Sequence, residues 1–152
     1  MRPHLLVVPL LVCAAARAAA LPAGVTGIRA VGFGTLLPGI PTTVVPTDPS
    51  NSGQFNFTGK KNELIYVTLS LPATMTGPAG ATLPLTFGGS AGGYSAAQST
   101  GSETAFDPKV AQTFQLSNSG RGSVFLGGTA SPAVNQRAGS YSGTITLSVT
   151  FL

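Results

Sequence analysis

Two carboxylates set four residues apart, Glu103 and Asp107 in GSETAFDPK, are the side chains of this sequence whose spacing first invites a chemical reading. A carboxylate pair hydrolyses a glycosidic bond when one member donates a proton and the other serves as nucleophile or base. Here the Gly, Ser and Pro around them mark a loop, and the spacing follows no hydrolase pattern, so solvated loop charges are the expected role. The same acids could join backbone carbonyls around Ca²⁺, but no Asp-rich loop accompanies them. Asp48 and Glu63 are the only other acids, and the single His and single Cys are His4 and Cys13. Beyond residue 20 the chain therefore cannot assemble a Ser-His-Asp triad, a Cys-His pair or a zinc site of the usual ligands. The sequence predicts no catalytic residue, no metal ligand and no cofactor site.

The first twenty residues, MRPHLLVVPLLVCAAARAAA, carry a basic start at Arg2, an apolar run from Leu5 to Ala16 and small residues leading to Ala20. This is the pattern of a secretory signal peptide over residues 1–20, cleaved after Ala20. The run is too short for a spanning helix, which needs about twenty residues, and no later stretch supplies a transmembrane segment. Cys13 follows an apolar run as a lipidated cysteine would. The residue before it is Val12 where a small one is usual, so it is expected to be an ordinary apolar residue of the signal.

Without Arg2 and Arg17 the eight basic residues become six against four acidic ones, a net charge of +2. Those six are scattered apart from Lys60–Lys61, which is no electrostatic footprint for nucleic acid. Charged residues make up 8% of the chain, against about a quarter in an ordinary soluble domain. A surface so poor in charge repels neighbours weakly and suits a protein packed against copies of itself. Residues 21–152 are long enough for one domain with a real core, and residues 21–30 are left as a possible extended arm.

The elements that must position any site are strands. In ELIYVTLSLP, Ile65, Val67, Leu69 and Leu71 alternate with Tyr66, Thr68 and Ser70, the period of a strand with one buried face. GQFNFT sets Phe55 and Phe57 on one side, and ATLPLTF sets Leu83, Leu85 and Phe87 on one side, with Pro84 pointing to an edge or a bulge. Val110–Leu116 and Ser123–Gly127 are further short strands, while Gly88–Ser102 is expected to be a long surface loop. GSYSGTITLSVTFL ends the sequence with Ile145, Leu147, Val149 and Phe151 alternating with Thr and Ser. Strands at roughly ten-residue spacing, with no amphipathic helix, predict an all-β sandwich or barrel. The phenylalanines fall in strand patterns and are expected in the core. Tyr66, on a polar face, is the best single candidate for exposed contact.

The segments VGFGTLLPG, GQFNFTGKKNELIYVTLSLPATMTGPAGATLPLTF and VFLGGTASPAVNQRAGSYSGTITLSVTF resemble, in that order, the exported bacterial family called domain of unknown function 4402. The most specific features are the pair Gly127–Gly128, Asn135–Gln136 and the run Gly139–Thr144. That family is similar in pattern to spore-coat-U-type and other pilin-like subunits of chaperone-usher systems. The resemblance implies an immunoglobulin-like, pilin-like β-sandwich with a structural or adhesive role outside the cytoplasm, in the periplasm, at the cell surface or in the medium. It brings no catalytic residues.

Assembly in such systems implies self-association or related subunits, and a periplasmic chaperone that would grip the carboxylate of Leu152. The candidate assembly edge is then Ile145, Leu147, Val149, Phe151 and Leu152, and the candidate donor segment holds Val25, Ile28, Val31 and Phe33. Val31–Leu36 is expected to be the first strand of its own sandwich. The alternative is a monomeric exported module that binds glycan or another surface ligand through Tyr66 and the Gly88–Ser102 loop.

The face assignment of the last strand has a direct consequence. Leu147→Asp is expected to abolish stable folding by burying an unpaired charge, whereas Thr146→Asp is tolerated, as circular dichroism melts of the two variants would register. Equal behaviour would reverse the assigned faces.

Overall fold

A computed structural model describes residues 22–152; the signal peptide expected over residues 1–20, with its expected cleavage at Ala20, lies outside the described residues. The fold is an all-β sandwich, with one 3₁₀ turn at Pro78–Gly80 and no α-helix among the described residues. Its strands are β1 (Gly24–Arg29), β2 (Thr42–Val44), β3 (Gly53–Thr58), β4 (Leu64–Ser70), β5 (Thr74–Thr76) and β6 (Thr82–Thr86). They are followed by β7 (Gly92–Ser95), β8 (Thr104–Phe106), β9 (Gln112–Gln115), β10 (Arg121–Leu126), β11 (Gly128–Ala130) and β12 (Thr146–Phe151). Three antiparallel sheets result, ordered β1-β3-β10-β7-β8, β2-β11-β6-β5 and β12-β4-β9. No described helix is long and apolar enough to cross a membrane.

Period-two alternation turns directly into burial. In β4, Ile65 and Val67 are buried while Leu64, Tyr66 and Thr68 are exposed. In β6, Leu83 and Leu85 are buried between exposed Thr82, Pro84 and Thr86. The first core joins Phe57 of β3, Ile65 and Val67 of β4, Leu116, and Val124 and Leu126 of β10, and so glues the five-stranded sheet to the three-stranded one. The second joins Met75, Leu83, Leu85, Phe87, Ala91 and Ala130 on the four-stranded sheet. Ile145 packs against both cores.

Three expectations are corrected. Gly88–Ser102 is not a single surface loop: it contains β7, which runs between β10 and β8 and is mostly buried. The Gly-Gly of this strand hides its character, because glycine has low strand propensity. It is nonetheless required, since a Cβ on Gly92 would meet the Phe106 ring at 2.7 Å and one on Gly93 would crowd Glu103. Tyr94, the one aromatic of β7, stacks on Phe114 with centroids 4.2 Å apart and donates to the Gln115 carbonyl at 2.7 Å. Burial pushes its hydroxyl up to about 12.

Pro84 does not mark an edge, because β6 lies between β11 and β5. It instead shortens the pairing with β11 to Thr129–Thr86 and Ala130–Leu85, beyond which Ser131 donates to the Pro84 carbonyl but a proline cannot donate in return. Val31–Leu36 is not a strand either. The first strand is β1, and residues 31–36 follow an irregular path in which Gly34 takes a φ of 65°.

The glycine pair has a purpose that spacing alone does not disclose. The chain leaves β10 in one sheet and starts β11 in another across Gly127–Gly128, where a Cβ on Gly127 would collide with the Val44 carbonyl and one on Gly128 would press on the Phe87 ring. A side chain there would push apart the two backbones that carry the crossing. Gly127→Ala should cost about 3 kcal/mol by overpacking. Gly88→Ala, where nothing lies within 4 Å, should change stability by less than about 0.5 kcal/mol. Urea midpoints at unchanged m-value measure both.

Candidate functional site

Among the described residues, the last strand has one neighbour. β12 pairs with β4 in a single unbroken register, from Thr146 opposite Ser70 to Phe151 opposite Ile65. The Leu152 amide donates to the Leu64 carbonyl at 2.9 Å, which fixes the phase of the ladder. Hydrogen-bonded pairs alternate with non-bonded ones, so Thr150, Ser148 and Thr146 turn their N–H and C=O groups toward β4. Those of Leu147, Val149 and Phe151 point away, to a side where no described strand pairs with β12. The side chains of these three, with Ile145, are half-buried against the first core, and Leu152 is 66% exposed. The five candidate edge residues thus lie on one stretch, four of them leaning on the core.

Beside the start of this stretch an apolar cleft of about 600 Å³ opens between the end of β1 and residues 141–145, with Phe55, Met75 and Leu126 among its lining. Val31 and Phe33 border both it and a second cleft of about 630 Å³. The four candidate donor residues are divided by the structure. Val25 and Ile28 stand exposed on β1, which pairs with β3 of its own chain, whereas Val31 packs on the first core and Phe33 on the second.

Arg29 bends back so that Nε donates to the Ser52 carbonyl at 2.6 Å and Nη2 to Ser52 Oγ at 3.0 Å. Ser52 Oγ donates in turn to the Asp48 carbonyl. The Asp48 carboxylate accepts from the Asn51 side chain and from the amides of Ser50 and Asn51, and these bonds, helped by the Arg29 charge, hold it below the usual carboxylate range. This cluster fixes the β-bulge that ends β1 between Gly27 and Arg29.

The remaining acids serve their own turns. Glu63 accepts from the Lys60 amide at 2.7 Å, Glu103 from the Gly101 amide at 2.7 Å, and Asp107 from the Lys109 amide at 2.9 Å. Glu103 and Asp107 flank opposite ends of β8. Tyr66 is 43% exposed and lies between Thr150 and Thr113 on the outer face of the three-stranded sheet.

Sequence reasoning passed over Gln136 and Tyr141 as a pair. Gln136 Nε2 donates to Tyr141 Oη at 2.7 Å and to the Thr82 carbonyl at 3.1 Å, and Tyr141 Oη donates to the Arg137 carbonyl at 2.7 Å. The ring lies on Gly77, where no Cβ would fit. This clamp, with Ser142 bridged to Thr76, aims residues 141–145 past the cleft and into β12. The signal was present in Asn135–Gln136 and Gly139–Thr144, whose spacing has no meaning until the loop is folded.

Residues 23–151 match a family model described as Domain of unknown function (DUF4402). The chain belongs to this family. No curated protein and no solved structure matches it. The match spans every strand of this chain, from β1 to β12.

Proposed function

We propose that this is an exported structural protein, a subunit or accessory part of a bacterial surface fibre or extracellular matrix, that assembles by strand addition. One observation carries the reading: β12 is a regular six-residue strand with a neighbour on only one side among the described residues, its apolar side chains half-covered and an apolar cleft at its start. A strand in that state gains both backbone hydrogen bonds and side-chain burial when another is laid beside it. It is also an aggregation hazard until something does so.

The immunoglobulin-like and pilin-like resemblance supports the same reading, and so does a leader that would deliver the chain to a periplasmic chaperone before assembly. The four carboxylates, each accepting in its own turn, support a role without catalysis. A second reading is a monomeric binding module for glycan or another surface ligand. What favours it is the hydroxyl-rich outer face of β12, β4 and β9, where Tyr66 stands exposed among Thr150, Thr68 and Thr113.

The two readings separate on a pair of proline variants of the full chain purified from the periplasm. The Val149 amide points to the open side, so Val149→Pro should keep the fold and abolish concentration-dependent oligomers in light scattering. Ser148→Pro deletes a bond to β4 and should cost about 1–3 kcal/mol of stability. A wild-type chain that stays monomeric at every concentration, and whose melting temperature rises with an oligosaccharide, would contradict assembly and establish the binding module.

A further inference from the structure

The sheets end in six edge strands among the described residues, and five of them are guarded. β2, β5 and β8 are three residues long and β9 is four. β1 has six residues, but a bulge between Gly27 and Arg29 breaks its line and Arg29 sits at its end. Short edges, bulges and charges are the ordinary means by which sheets refuse a neighbour. β12 has none of them. It is six residues long, its register is unbroken, and residues 138–152 contain no Lys, Arg, Asp or Glu.

We propose that the occupant of this edge is β12 of a second copy of the chain, paired antiparallel about a two-fold axis at Val149. The proposal rests on the reading that strands are added at β12; it names the strand, and it makes the β12 contact a closed pair that serves as the unit of any larger assembly. The open side offers the N–H and C=O groups of Leu147, Val149 and Phe151, as the phase of the β4 ladder requires. About Val149 these three face Phe151, Val149 and Leu147 of the second copy, so every outward group finds a partner. Ser148 then lies opposite Thr150, hydroxyl against hydroxyl on the outer face, while apolar residues meet apolar ones on the inner face. A shift of one residue would set apolar against polar side chains and break the match. An isologous contact of this kind needs no second patch, because one self-complementary edge serves both copies.

Two three-stranded sheets would become one of six strands. The cleft is lined by Ile145 but by none of the three paired residues, so it lies outside the contact. A neighbour's β1 is the weaker lender, for the same bulge and Arg29 that guard its edge within one chain.

The register gives the test. Ser148 and Thr150 are exposed, so cysteines there should be tolerated, and no other cysteine occurs after residue 13. Ser148 and Thr150 of the two copies form a non-hydrogen-bonded pair, in which opposed Cβ atoms come within about 5.5 Å. The full chain carrying Ser148→Cys and the full chain carrying Thr150→Cys are purified from the periplasm, oxidised alone and as an equimolar mixture, and resolved by non-reducing electrophoresis, with unmodified chain as control. Light scattering on the unmodified chain gives its mass.

The expected result is twice the monomer mass, with disulfide dimer in the mixture at least about tenfold above either variant alone. Self-linking of Ser148→Cys or Thr150→Cys to the same extent would overturn the axis at Val149. Oligomers without any such link would overturn symmetric pairing and leave strand addition by another segment standing. A monomeric mass with no link would overturn both.

Discussion

The ladder between β4 and β12 is the interaction on which the architecture turns. β4 is the middle of its sheet, with β9 on one side and β12 on the other, and its buried Ile65 and Val67 form part of the first core. β12 completes the wall that β4 begins. Because that wall ends there, the half-buried row Leu147, Val149, Phe151 is both the rim of the core and the boundary of the molecule. A chain of low charge carries no ionic defence at this rim, so the same residues that close the core from one side leave it open from the other.

Everything that brings β12 to this position is a matter of how the chain changes sheets. The β10–β11 crossing is possible only because Gly127 lets the Val44 carbonyl pass. The return from β11 is held by Gln136 and Tyr141, whose hydrogen bonds tie the loop to Thr82 and to Arg137. Ile145 then touches both cores, and thus couples the four-stranded sheet to the strand that follows. The cleft lies where this leg and the end of β1 fail to meet, with the Asp48–Ser52–Arg29 cluster holding β1 at its far side.

Much of this was legible in the sequence, for a simple reason. Where one face of a strand is buried, alternation is the physical requirement itself, and β3, β4, β6 and β12 announce it. Where a strand is buried by close backbone approach, as at Gly92–Gly93, the requirement is the absence of side chains, which on the page looks like a loop. Short strands such as β2, β5 and β11 hold three residues each, too few for a period to show. The site divides in the same way. The apolar row of β12 could be read directly, but which of its backbone groups face outward depends on register with β4, and register is a property of two segments rather than one. The role of Arg29 was hidden for a related reason: its partner, Ser52, is distant in sequence.

The central claim is that β12 is bonded on one side only, and amide hydrogen exchange at single-residue resolution tests it most directly. In dilute solution, where any association is suppressed, the amides of Ser148 and Thr150 should be protected at least about tenfold more than those of Leu147, Val149 and Phe151. An alternating pattern of that kind is the signature of a strand with one paired edge. Equal protection of all five amides in the dilute chain would mean that the far edge is already covered within one molecule, and the account of an open strand would be wrong.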